Sequence, residues 1–74
     1  MFKRPSANFW RNRSVLVTGA GSGIGREITL QLLRLEARVL AVSLREDELE
    51  TLQINAGKNI ERLSTLAMDL TNEQ

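Results

Sequence analysis

The sequence predicts an α/β fold, a βαβαβ half with a parallel sheet in strand order 3-2-1, shorter than a complete domain. Three observations carry that prediction. Three short strand-like stretches, at residues 14–18, 39–44 and 61–68, the first two nearly all apolar, alternate with two segments of helical periodicity. The first strand-to-helix junction holds four glycines, Gly19, Gly21, Gly23 and Gly25. The helical segments have the length of right-handed crossovers between parallel strands.

Residues 1–13 form a basic lead-in with Lys3, Arg4, Arg11 and Arg13, no acid, and the aromatics Phe2, Phe9 and Trp10. It reads as a segment that seats Phe9 or Trp10 against the sheet and leaves its charges solvated. An organelle-targeting segment and a basic-aromatic nucleic-acid arm are the alternatives. Pro5, the low serine content and the small number of basic residues weigh against both. Residues 14–74 form the folded part. In its first strand Val15, Leu16 and Val17 are consecutive, as in a strand buried on both faces. The helix expected over 22–35 places Ile24, Ile28, Leu32 and Leu35 on one face, widened by Leu30 and Leu33. Gly25 in its first turn lets the helix lie close to the strand before it. The second strand is expected over 39–44. A second helix over 46–55 follows, with Glu46, Asp47 and Glu48 at its positive end, Leu49, Leu52 and Ala56 on one face, and Gly57 as its stop. The third strand, 61–68, ends at Asp69-Leu70.

Composition narrows the function. The chain has 74 residues, 42% hydrophobic and 26% charged, with a net charge of +1, which gives no bulk attraction for nucleic acid. It has no cysteine and no histidine, which removes disulfides, thiolate and imidazole catalysis and the common zinc sites. No apolar stretch approaches the roughly 20 residues of a membrane span, and the N-terminus lacks the apolar core of a secretory signal. The expectation is a cytoplasmic protein, with a mitochondrial location as the alternative.

The glycine loop carries the chemistry. Glycines let an anion approach main-chain N–H groups, and the following helix turns its unpaired N–H groups toward the same point. A pyrophosphate suits that arrangement; the bland alternative is a glycine-rich turn with no ligand. A phosphate loop of nucleotide hydrolases is a poor third reading, because no Gly-Lys-Ser/Thr follows the glycines. Ligands in such sheets sit beyond the carboxyl ends of the strands. At the end of the second strand an acid would accept the 2′-hydroxyl of NAD, but the residue is Ser43, with Arg45 nearby. Ser43 donating to a 2′-phosphate and Arg45 pairing with it favour NADP over NAD. In the alternative, Ser43 starts a turn, Arg45 is solvated, and Asp69 is a turn residue.

The pattern Thr18-Gly19-x-x-x-Gly23-Ile24-Gly25, with Ala37-Arg-Val-Leu-Ala-Val-Ser and Met68-Asp-Leu, resembles the short-chain dehydrogenase/reductases, most closely the dicarbonyl/L-xylulose reductases and related carbonyl reductases. The resemblance runs from about Phe9 to Gln74. It implies a Rossmann-type half-domain and hydride transfer between carbonyl and alcohol in a complete enzyme. It also implies that Gly19, Ser22, Gly23, Ile24 and Gly25 line the pyrophosphate and nearby ribose, Ser43 and Arg45 the adenosine ribose, and Asp69 and Leu70 the adenine. NADP-using relatives often carry basic residues where this chain has Ser22 and Leu44. The family's catalytic tyrosine, with its lysine and serine, has no counterpart here, since the chain has no tyrosine. The expected role is therefore the cofactor-binding N-terminal segment of an oxidoreductase. The alternative is an inactive truncated product acting as an interaction module. Crossovers that place both helices on one face leave the other face and the edge of the first strand bare. The isolated chain is thus expected to be marginally stable and to associate with itself or with a full-length relative.

Overall fold

Val15, Leu16 and Val17 form the middle of β1, Ser14–Thr18, the first strand of a computed structural model that describes residues 9–68. The elements that follow are α1 (Gly23–Arg34), β2 (Arg38–Ser43), α2 (Glu46–Ala56) and β3 (Leu63–Ala67). A 3₁₀ segment, Gly57–Arg62, joins α2 to β3. β2 lies between β1 and β3 and pairs with both in parallel, giving the expected order 3-2-1.

Strand register sorts the side chains onto two faces, because alternate residues of a strand point to opposite sides. Val15, Val39 and Leu63 form one cross-strand row and Val17, Ala41 and Thr65 the next. Leu30, Leu32 and Leu33 of α1 and Leu49, Leu52 and Ala56 of α2 belong to the clusters packed on these rows. Both helices therefore cover the same face. On the other face Leu16, Leu40, Leu66 and Met68 stay exposed, Leu16 to 62%, so β1 is not buried on both faces as its unbroken apolar run suggested, because no helix covers that side. Val42 shares that face but is buried, at the centre of the row Thr18, Val42, Leu66. Trp10, not Phe9, is the aromatic seated against the core. Phe9 is exposed, stands edge-on to Trp10 and lies under the Arg13 guanidinium.

Three details differ from the sequence expectation. Ile24 and Ile28 do not face the core; Ile24 is 79% exposed. The inward row of α1 is Gly25, Thr29, Leu32 and Leu33, rotated so that the residue lacking a side chain meets the chain in front of it. Thr29 is fully buried and satisfies its hydroxyl on the Gly25 carbonyl at 2.9 Å. Second, β2 begins at Arg38 and ends at Ser43, which leaves Leu44 exposed beyond the strand. Third, β3 begins at Leu63, because Gly57, at φ +56°, ends α2 and leads into the 3₁₀ segment.

α1 ends without a glycine. Glu36 takes the left-handed conformation at φ +69°, its N–H donates to the Leu33 carbonyl at 2.9 Å, and Ala37 N–H donates to Leu32 at 3.0 Å. Those two bonds are the Schellman pattern, usually built on glycine. Arg11 and Arg62 flank the Glu36 carboxylate, and its carbonyl accepts from Asn12 N–H and the Arg62 guanidinium.

Truncating Leu33, which is 1% exposed, should cost about 2–5 kcal/mol. In a chain with one covered face, Leu33→Ala is expected to lose the cooperative unfolding transition in circular dichroism. Glu36→Gly and Glu36→Ala both remove the ion pairs, but only glycine relieves the left-handed backbone. The glycine variant should therefore be the more stable of the two by about 1 kcal/mol in urea titrations.

Candidate functional site

The loop between β1 and α1 is shaped by glycines doing different jobs. Gly19 (φ +66°) and Gly23 (φ +57°) hold left-handed backbone, and beyond the adjoining backbone nothing lies within 4 Å of where a Cβ would stand on either. Their outer side is open. Gly25 is the opposite case, since a Cβ there would collide with the Gly19 carbonyl oxygen and the Ala20 backbone. That contact sets the start of α1 directly behind the loop. Ser22 is the N-cap residue in extended conformation, yet its hydroxyl makes no capping bond, and no acid occupies the first turn. The first N–H groups of a helix have no intrahelical acceptor. Here no acid in the first turn of α1 competes for them, an arrangement that fits a pyrophosphate.

The carboxyl end of β2 lies against the same loop. Ala20 N–H donates to the Val42 carbonyl at 3.0 Å, and a Cβ on Gly21 would stand 2.6 Å from Glu48 Oε1 and 2.7 Å from Ser43 Oγ. Ser43 is buried; its hydroxyl donates to Glu48 Oε1 at 3.1 Å and accepts from Arg45 N–H at 3.3 Å. The Arg45 guanidinium grips Asp47 with two bonds, 3.1 and 2.8 Å, and its Nε lies 4.0 Å from Glu48 Oε2. The hydrogen bonds and charge of Asp47 raise the Arg45 pKa, and Arg45 in turn holds the Asp47 carboxyl below its usual value. A carboxyl lowered in this way is ionised throughout the neutral range, so the pair breaks only in acid. Both side chains are exposed, so the pair is a weak tie that water and salt contest.

Gly19, Ser22, Gly23, Ile24 and Gly25 are thus gathered at one turn, and Gly21 joins that turn to Ser43, Arg45 and Glu48. Asp69 and Leu70 lie outside the described residues. Glu48 is the residue that sequence reasoning assigned only to the helix dipole. Its separation of five residues from Ser43 across a strand-to-helix turn was the available signal. Among the described residues, no helix is long and apolar enough to cross a membrane.

The family model for short chain dehydrogenase matches residues 13–74. Dehydrogenase/reductase SDR family protein 7-like of Dictyostelium discoideum is 34% identical over 62 residues, covering 84% of this chain and 19% of that protein. D-erythrulose reductase of Gallus gallus is 48% identical over 48 residues, 65% of this chain and 19% of that protein. A short chain dehydrogenase from Escherichia coli CFT073, solved in complex with NADPH, matches with a TM-score of 0.81 and 27% identity over 95% of this chain and 30% of that one. The chain spans about a fifth of the length of the curated relatives it matches. With the parallel βαβαβ sheet, the glycine turn and a match over most of its length, the chain belongs to the short-chain dehydrogenase/reductase family and represents the N-terminal, Rossmann-type half of its fold.

Proposed function

We propose that the chain is the NAD(P)(H)-binding N-terminal segment of a short-chain oxidoreductase whose complete form interconverts carbonyls and alcohols. The observation that carries this reading is the open cradle at Gly19 and Gly23 in front of an uncapped helix start. When bound, the dinucleotide supplies the hydride. The residues of this chain bind and orient it. Backbone N–H groups of the loop and of α1 hold the pyrophosphate, with Gly19, Ser22, Gly23, Ile24 and Gly25 around it and the nearby ribose. Exposed Ile24 offers an apolar surface beside the phosphates. Ser43 and Arg45 take the adenosine ribose, and Asp69 with Leu70 the adenine. The lack of an acid at position 43 and the presence of Arg45 support NADP over NAD. No proton-transfer residue is assigned, since the family's tyrosine has no counterpart in these residues. In this reading residues 1–13 are a lead-in and 14–74 the cofactor-binding part.

The bare sheet face favours a second reading, in which the chain is an inactive module that pairs through that face. Leu16, Leu40, Leu66 and Met68 on one side of three strands are the surface that a second copy or a full-length relative would cover.

Calorimetric titration of the purified chain with NADP and NAD tests the first reading. Binding is expected, and Gly23→Asp, which sets a carboxylate in the cradle, should weaken it by more than about tenfold, or about 1.4 kcal/mol. A folded chain that binds neither dinucleotide would overturn it. For the second reading, sedimentation at micromolar concentration should give dimers or larger species, and Leu16→Lys with Leu66→Lys should shift them toward monomer. A compact wild-type monomer would count against pairing through the sheet.

A further inference from the structure

The ribose corner contains a carboxylate after all, and it comes from α2 instead of from the end of β2. Glu48 lies between Gly21 and Ser43, with Oε1 3.1 Å from the Ser43 hydroxyl. Its side chain is 31% exposed, against 64% for the neighbouring Asp47. Of these two acids, Glu48 is the one turned in toward the glycine loop. Gly21 makes room for it, because any side chain there would displace Glu48 or Ser43.

This placement changes what Ser43 and Arg45 can offer. The Ser43 hydroxyl already donates to Glu48, and the Arg45 guanidinium lies between Asp47 and Glu48. A 2′-phosphate entering the corner would have to replace those partners while meeting the charge of Glu48. A 2′-hydroxyl would meet a hydrogen-bond acceptor. Carboxylates at the end of the second strand act in this way in dinucleotide-binding sheets. Here the same chemistry would be delivered from the first turn of the next helix.

Building on the dinucleotide reading, we infer that Glu48 is a specificity residue of the ribose corner: its carboxylate accepts the 2′-hydroxyl, opposes the 2′-phosphate, and holds the preference for NADP below what Ser43 and Arg45 alone would give. Glu48→Gln keeps the size of the side chain and an acceptor for Ser43 but removes the charge. Glu48→Ala removes both, so the assignment does not hang on one variant. Glu61→Gln removes the same charge from the 3₁₀ segment before β3, at the amino ends of the strands.

The experiment is calorimetric titration of wild type and the three variants with NADP and with NAD, with folding checked by circular dichroism. Both Glu48 variants should move the ratio of the two affinities toward NADP by about tenfold or more, and Glu61→Gln should leave it within about twofold. Raising the ionic strength should shrink the difference between wild type and Glu48→Gln, because it arises from charge. An unmoved ratio in both Glu48 variants, with both dinucleotides still bound, would overturn the role of Glu48 and leave the cofactor reading intact. Failure of folded wild type to bind either dinucleotide would overturn both.

Discussion

The close approach of Gly25 to the Gly19 carbonyl is the contact on which the rest of this structure depends. Any side chain at Gly25 would strike backbone atoms, which cannot move without moving the strand or the helix. With hydrogen in that place, α1 starts directly over the end of β1 and turns its Gly25, Thr29, Leu32, Leu33 row inward. That rotation buries Leu33, makes Thr29 close its own hydrogen bond, and leaves Ile24 and Ile28 facing away from the core. It also points the helix start at the open side of Gly19 and Gly23. The packing of α1 and the open side of the turn follow from the same missing side chain.

A second contact extends the site. Gly21 lies against Ser43 and Glu48, so the glycine turn and the end of β2 form one surface. The acids at the start of α2 therefore do two things. They suit the positive end of the helix dipole. Asp47 and Glu48 also tether Arg45 and Ser43, the two groups a phosphorylated ribose would need. Exposed ion pairs of this kind add little stability. What they do fix is the position of the Arg45 guanidinium and the Ser43 hydroxyl beside the glycine turn.

Most of the fold was legible in the sequence because apolar strands and glycine turns leave local marks, although the unbroken run in β1 overstated its burial. Val15 to Val17 and Val39 to Val42 are apolar without alternation, and β1 runs from Ser14 to Thr18 as read. Gly57 ends α2 with the positive φ that glycine permits. What stayed hidden depends on contacts between elements. The face of α1 was misjudged because spacing alone favoured Ile24 and Ile28, whereas the rotation is set by a backbone contact with Gly19. The end of α1 carries no glycine, and Glu36 holds a left-handed conformation beside Arg11 and Arg62, residues distant in sequence. In the candidate site the glycines and Ser43 were read from their spacing and their place at the strand ends, and the structure brings Gly21 and Ser43 together. Glu48 was not singled out, because its position beside Ser43 appears only once the helix is wound and docked.

In the proposed function the glycine turn and the end of β2 form one working dinucleotide surface. The most direct measurement is the change in backbone amide NMR shifts of an isotope-labelled chain as NADP or NAD is added. The largest changes are expected on residues 19–25 and 43–48, while the buried positions Leu33 and Leu52 move little. Changes centred on the exposed face around Leu16, Leu40 and Leu66, or none in a folded chain, would contradict it.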